Sequence, residues 1–308
     1  MTLSILCLEL VVAIIRAYKT ILQLQMDTLY EYFIGGALVQ GGSWGGPECY
    51  SHITQETHLI ETTGWLLLAA LAWYTLDIGS VFKSIKIKES ECKINVFDVL
   101  LGFVHFGMYA HLLYFKTNSK ALAIVLLQPC HVILLLEGIA LVSRGKLGVN
   151  ISIFLLPALS GTLLAMLFPD TSGLYQWLEA ESYWVQHYLI QAVPLYLLCR
   201  RNFQALNECS TKTVLAGYWI LHVLHYTLYE GFDLLTLVNI EFMLCPTGAM
   251  NAIFTQLPQG LLVPTYRTPL TVVVVFVAIG IALFYIFVAR LIQSLIGAKP
   301  KPNKVKKI

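Results

Sequence analysis

Two side chains in this sequence have the chemistry of a nucleophile and its base, the thiol of Cys130 and the imidazole of His187. A thiol attacks a carbonyl carbon as its thiolate, and a nearby histidine can take the proton. Together they could carry an acyl group as a thioester. Each also has an ordinary explanation, because a membrane cysteine is usually a packing residue and a lone membrane histidine more often hydrogen-bonds a neighbouring helix.

Acyl transfer passes through an oxyanion, which fixed hydrogen-bond donors stabilise. Polar residues near the two reactive side chains are candidates for this role or for supporting it: Gln128, His131, Gln186 and His225. Pro129 precedes Cys130 in an apolar stretch. A proline inside a helix removes one backbone hydrogen bond and bends the helix, which predicts a polar notch with the Val125 carbonyl left free.

A metal centre is an alternative use of the histidines. His105 and His111 fall in one apolar stretch and His222 and His225 in another, and imidazoles bind several transition metals. Membrane di-iron oxygenases carry several histidine boxes, whereas this chain has one HxxH pair, so we expect no metal or other cofactor. The sequence also lacks an HxxxxD box, a GxSxG elbow and a Walker A loop, which disfavours the chemistries that use those motifs.

The composition predicts that these residues lie in a membrane. Hydrophobic residues make up 57% of the 308 residues and charged residues 12%, about half the charged share of an average soluble domain. The net charge of +2 and the absence of a basic stripe argue against a nucleic-acid partner.

About 20 apolar residues are needed for a helix to cross a bilayer. The sequence predicts an all-α bundle of about seven such helices, in windows near 58–82, 95–115, 120–143, 148–168, 183–199, 213–237 and 268–296. Lysine and arginine concentrate in alternate loops and in the C-terminal tail, which predicts a cytosolic C-terminus.

The predicted organisation has three parts: residues 1–57 as an N-terminal interfacial helix and luminal segment, 58–296 as the bundle, and 297–308 as a basic cytosolic tail. The apolar run Leu3–Ile15 is short for a span, although an eighth span there is an alternative. Lys304 and Lys306 stand near the end of the tail in a pattern that resembles dilysine retrieval signals. This predicts residence in the endoplasmic reticulum membrane and binding of a retrieval coat, and a plain stop-transfer flank is the alternative.

Several segments in this order resemble the transmembrane protein 164 family, from about Met26 to the end of the chain: Gly45–Cys49, Leu126–His131, Leu167–Pro169, Tyr183–His187, Val193–Leu198 and Met243–Pro246. The resemblance implies a membrane acyltransferase that moves a polyunsaturated, arachidonoyl-type chain onto lyso ether-linked phosphoethanolamine lipids. Its substrates would be a phospholipid donor and a lysophospholipid acceptor within the membrane.

The family's nucleophile and base fall on Cys130 and His187, and a disulfide between Cys49 and Cys245 is a second implication. Gln128 stands where an asparagine is expected, and Glu241 begins a pair that replaces an amide-rich one. These departures bear on lipid specificity. From the residues alone, a seven-helix receptor and a small-solute transporter stay open as alternatives. The resemblance also extends distantly to membrane hydrolases of fatty-acid esters, which makes an ester hydrolase a further alternative.

Overall fold

The computed structural model describes residues 35, 44–84, 94–118, 123–143, 146–171, 174, 176–200, 211–248, 250 and 265–295. Within these ranges the chain is mostly helical, and its extended pairing there is an isolated antiparallel bridge between Gly45 and Val238. The all-α class predicted from the sequence is therefore confirmed. The predicted interfacial helix at Leu3–Ile15 and the basic tail at 297–308 lie outside the described residues.

The helices run in the order α1 (Pro47–Tyr50), α2 (Gln55–Leu76), α3 (Ile78–Ser84), α4 (Val96–Asn118), α5 (Pro129–Val142), α6 (Lys146–Leu155), α7 (Leu159–Leu167), α8 (Glu179–Arg200), α9 (Thr211–Leu224), α10 (Glu230–Thr236) and α11 (Arg267–Leu295). A 3₁₀ segment, Ala123–Leu127, precedes α5, and a second one, Leu156–Ala158, joins α6 to α7. A π-helical turn, His225–Tyr229, joins α9 to α10.

Four helical stretches of the described residues are long and apolar enough to cross a bilayer: Gln55–Leu76, Val96–Thr117, Leu147–Leu167 and Arg267–Leu295. Helix α5 is apolar but shorter. Many of their large apolar side chains face outward, such as Leu67 in α2 and Phe276 in α11, as lipid-facing residues do. The apolar helices indicate a membrane-embedded protein. Seven spans and a cytosolic C-terminus remain predictions.

Several predicted windows are interrupted where the backbone has a local reason to leave the α-helix. The window 58–82 breaks at Asp77, whose left-handed φ of 47° ends α2. Pro157 lies in the 3₁₀ segment that divides the window 148–168, because proline lacks the N–H that an α-helix needs there. The window 213–237 contains the π-helical turn, a feature often found at functional sites.

The largest buried apolar cluster joins α4, α5, α6, α7, α8, α9 and α11. Leu134 of α5, Ile190 of α8 and Ala282 of α11 lie fully inside it. Helix α5 packs directly against α4, α6 and α8. This packing brings the helix that carries Cys130 next to the helix that carries His187.

Candidate functional site

Cys130 lies in the first turn of α5, not in the middle of a helix as the sequence predicted. The helix begins at Pro129, since a proline at the first helical position lacks only an N–H that would have no partner anyway. The Val125 carbonyl accepts hydrogen bonds from the Gln128 backbone N–H at 2.9 Å and from His131 Nδ1 at 2.7 Å. The expected notch with a free carbonyl is therefore wrong.

The Cys130 side chain is a half-buried free thiol that packs against the main apolar cluster. Its place at a helix start suits a nucleophile, because the first N–H groups of a helix favour negative charge. Lys116 contributes a positive charge and Glu241 a carboxyl group to the same surroundings.

His187 is buried in α8 with a defined tautomer. Its Nδ1–H donates a 2.7 Å hydrogen bond to the carbonyl of Tyr183 one turn earlier. The neutral ring then presents the Nε2 lone pair, which is buried and has no hydrogen-bond partner in the described part of the chain. A buried imidazole with an open lone pair can accept a proton.

Tyr183 connects the surroundings of the two residues. Its ring centroid lies 4.1 Å from that of His187, and it interacts electrostatically with Cys130. Its hydroxyl donates a 2.6 Å hydrogen bond to the Ala165 carbonyl in α7, which fixes the ring. His187 also acts electrostatically on His131, the residue after Cys130. Cys130 and His187 thus share neighbours, although no direct hydrogen bond joins them among the described residues.

The candidates for stabilising the oxyanion or for supporting the site differ in the hydrogen-bond donors that they have available. Gln186 is buried, and its Nε2 has no hydrogen-bond partner within the described ranges, so it keeps donors available. His131 uses its Nδ1–H on Val125, and a neutral Nε2 cannot donate. Gln128 occupies the N-cap position of α5 without a side-chain cap bond. The sequence ranked these residues equally, and the hydrogen bonds favour Gln186.

His225 belongs to different surroundings. It lies in the π-helical turn, where its ring centroid is 5.3 Å from Tyr226 and 6.4 Å from Tyr229. Its charge interactions are with His222 and Arg267. Tyr229 in turn interacts with Cys130 and Glu241, so His225 approaches the candidate site through an intermediate residue.

The histidines considered as metal ligands are dispersed. His105 Nε2 lies 3.2 Å from Glu137 Oε2, and His111 Nε2 lies 3.1 Å from Ser182 Oγ. His222 packs against the Trp65 ring, with centroids 5.0 Å apart. No group of three or more histidine, cysteine or acidic side chains that could hold a metal occurs in the described part of the chain.

A cap covers the end of the bundle near Cys130, and we define it as residues 44–50 and 237–245. Cys49 and Cys245 form a disulfide bond with a Cα–Cα distance of 5.1 Å, which is the pairing that the resemblance implies. The Gly46 N–H donates to the Leu237 carbonyl at 2.7 Å. The Asn239 side-chain oxygen accepts the Leu244 N–H at 3.0 Å.

The cap packs on the segment that leads into Cys130. Val238 and Ile240 of the cap form a buried cluster with Ile124 and Val125 of the 3₁₀ segment. Asp233 holds the Ile240 N–H with both carboxylate oxygens at 3.0 Å. The cap therefore helps to fix the start of α5.

The sequence model of the transmembrane protein 164 (TMEM164) family matches residues 50–288. The chain belongs to the TMEM164 family. The match includes Cys130, His187 and Cys245, and its first residue directly follows Cys49. Comparison with solved structures finds no match.

The sequence carries little signal for three further neighbours of Cys130 in this TMEM164 family member. Lys116 directly follows the predicted window 95–115, yet it is buried in the last turn of α4. Tyr229 and Glu241 act on Cys130 from the π-helical turn and from the cap. Burial raises the pKa of Glu241 to about 8. For Lys116, the available signal in the sequence was a lysine at the end of an apolar stretch.

Proposed function

We propose that this TMEM164 family member is a membrane acyltransferase that works through a thioester on Cys130. It transfers a polyunsaturated, arachidonoyl-type chain from a phospholipid donor to a lyso ether-linked phosphoethanolamine lipid. The observation that carries the proposal is the buried, unpartnered Nε2 lone pair of His187, on a helix packed against the one that carries Cys130 in its first turn. The lipid classes rest on the family resemblance.

In the first step His187 Nε2 takes the Cys130 proton and the thiolate attacks the carbonyl carbon of a donor ester. The protonated His187 returns its proton to the departing lipid oxygen as the carbon–oxygen bond breaks. The acyl group is then held as a thioester, which keeps it reactive without acyl-CoA. The Gln186 amide and the N–H groups at the start of α5 are suited to stabilise the oxyanion.

In the second step the acceptor hydroxyl loses its proton to His187 and attacks the thioester carbon. The carbon–sulfur bond breaks, and the thiolate that leaves regains its proton from His187. Water is the competing acceptor, which would make the protein a fatty-acid ester hydrolase. The apolar cluster around Cys130 favours transfer, because it limits the access of water to the thioester.

The proposed setting is the endoplasmic reticulum membrane, with about seven spans and the C-terminal lysines in the cytosol, where they would bind a retrieval coat. In this arrangement the cap lies on the luminal side, where disulfides persist. Cys130 and His187 then both lie in the luminal half of the bundle.

Acyl trapping on Cys130 tests the proposal. Purified full-length protein is incubated with a labelled phospholipid, and the peptide containing Cys130 is analysed by mass spectrometry before and after hydroxylamine. We expect a hydroxylamine-sensitive acyl group on Cys130 and none on Cys199, the half-buried free cysteine of α8 that serves as an internal control. A receptor or a transporter would carry no acyl group.

Variants complete the test. Cys130→Ala should abolish lipid remodelling, Cys199→Ala should leave it intact, and His187→Ala should slow it about 10²- to 10⁴-fold, the usual contribution of a general base. Full remodelling activity in the Cys130→Ala variant, with protein levels matched, would refute the mechanism. Release of free fatty acid without transfer would assign hydrolysis instead.

A further inference from the structure

A buried ion pair lies at the same end of the bundle as Cys130. Lys116 Nζ, in the last turn of α4, is 3.1 Å from Glu179 Oε1 at the start of α8. Both side chains are almost fully buried, with 4% and 3% of their surface exposed. Lys116 Nζ also lies 5.2 Å from the ring centroid of Trp44, in the cap.

The pair is held in place from several directions. Glu179 uses its other oxygen, Oε2, to accept the Gln176 N–H at 3.2 Å, which orients the carboxylate. Trp44 belongs to the apolar cluster formed by the cap and the 3₁₀ segment before α5. Helix α4 packs against both this segment and α5. The ammonium of Lys116 is therefore fixed relative to the start of α5.

Stability alone gives a weak reason for this arrangement. Taking two charges out of water costs about as much as their attraction returns, so apolar residues of similar size are often as stabilising. A fixed ammonium has a different effect, because it acts on charge that develops nearby. Lys116 lies against Trp44, whose cluster includes the 3₁₀ segment before α5, so its positive charge is placed to favour the thiolate of Cys130, the reactive form, and to act on His131.

The other groups that act on Cys130 contribute little positive charge to the stabilisation of its thiolate. Glu241 acts from the cap, Tyr229 from the π-helical turn and Tyr183 from α8, and these groups are neutral or negative. His131 and His187 are further titratable groups of the described residues at this end of the bundle, and each keeps its Nδ1–H on a backbone carbonyl. Lys116 is thus the permanent cation that acts on the sulfur among the described residues.

We propose that Lys116 is a positioning residue that stabilises the Cys130 thiolate, and that Glu179 limits the strength of this effect. The inference rests on the proposed function for its biological meaning, since the thiolate is the nucleophile there. Its physical content is independent of any substrate. Removing the cation should make the thiol less reactive, and removing only the carboxylate should make it more reactive.

The test measures the rate at which iodoacetamide alkylates Cys130 in the full-length protein, in detergent micelles, over a series of pH values. Peptide mass spectrometry reads Cys130 and Cys199 separately, so Cys199 reports any general change in folding or access. Lys116→Met should slow the alkylation of Cys130 about tenfold at neutral pH, the effect of losing one nearby opposite charge. The half-maximal rate should move to higher pH, and Lys116→Arg should keep the wild-type profile.

Glu179→Gln should speed the alkylation and move the profile to lower pH, whereas a purely structural pair would give the same sign for both single variants. Because Lys116→Met removes the cation beside a buried carboxylate, a double variant, Lys116→Met with Glu179→Gln, removes both charges and relieves that defect. Slow alkylation in the double variant, with Cys199 unchanged, supports the proposal. A wild-type rate in the double variant, or changes of one sign in the two single variants, would overturn it.

The two proposals fail in different ways. If the alkylation rates follow the expected order but no acyl group forms on Cys130, the acyltransferase proposal is wrong and the role of Lys116 stands. If Cys130 carries an acyl group but its alkylation rate is unchanged in the Lys116 and Glu179 variants, the acyltransferase proposal stands and the inference about Lys116 is wrong.

Discussion

Replacing Arg267 should strongly destabilise the bundle. Arg267 begins α11 and is 2% exposed. Its Nη2 lies 3.0 Å from Glu230 Oε2 in α10, and its Nε lies 3.5 Å from Glu61 Oε2 in α2. One guanidinium thus holds two buried carboxylates from two other helices, with His58 Nδ1 2.9 Å from Glu230 Oε1.

The magnitude follows from what Arg267→Met leaves behind. Removing one partner of a buried ion pair costs about 3–5 kcal/mol, because the remaining charge stays desolvated without compensation. Glu61 keeps hydrogen bonds from Thr265 at 2.6 Å and Thr268 at 2.8 Å, which softens its loss. At about 2–4 °C per kcal/mol for a protein of this size class, we expect Tm to fall by about 10 °C.

The assay is thermal unfolding of purified full-length protein in detergent, followed by intrinsic fluorescence and by loss of the monodisperse peak on size exclusion. Lys212→Met is the control, because Lys212 is an exposed cation in the first turn of α9. Its Tm should change by no more than about 2 °C, as for surface substitutions of about 0.5 kcal/mol.

A compensated variant separates a buried-charge effect from a loss of packing. Combining Arg267→Met with Glu61→Gln and Glu230→Gln removes all three charges, and buried ion clusters replaced in this way often regain stability. We expect the triple variant to melt above the single Arg267→Met variant. A single variant as stable as wild type, or a triple variant less stable than the single one, would refute the reasoning.

Substitutions at three further positions test local features of the fold. Gly45→Ala should lower Tm markedly, because Gly45 has a φ of +135° and an added Cβ would overlap the Leu237 carbonyl oxygen. Gly64 lies in α2 with open space around it, so Gly64→Ala should keep or raise Tm. The Glu137→Gln variant should have a Tm near that of the wild type. His105 donates through Nδ1 to the Leu101 carbonyl at 2.8 Å, so its Nε2 is an acceptor. Either a protonated Glu137 or a glutamine supplies the donor that this nitrogen needs. Glu137→Leu should lose about 1–3 kcal/mol, as a buried acceptor is left unpaired, and equal Tm values for the Gln and Leu variants would contradict this assignment.

The class of the protein could be predicted from the sequence because it depends on bulk composition. A chain with 57% hydrophobic residues in long runs can satisfy its backbone in a bilayer only as helices or a closed barrel, and the runs have helix length. The helical class and the family are both established by the structure and the comparison. The boundaries at Asp77 and Pro157 were less predictable, since hydropathy averages over the residue that ends a helix.

The candidate pair was also visible in the sequence, because a thiol and an imidazole keep their chemistry wherever they lie. What the sequence predicted wrongly was the local backbone of Cys130. A proline can kink a helix or begin one, and the choice depends on neighbours far along the chain. Here Val238 and Ile240 of the cap pack on the 3₁₀ segment before Pro129, and the helix starts at the proline.

The sequence by itself determined an apolar helical chain of this family with one plausible nucleophile and base, since these follow from residue types and their order. Only the tertiary structure decided which nitrogen of His187 is open, that Gln186 rather than His131 keeps a free donor, and that Lys116 is buried against Glu179. Each of these depends on a hydrogen bond or an ion pair, and such contacts are made by atoms that a helix–helix packing brings within about 3 Å. No pattern along the chain encodes that distance.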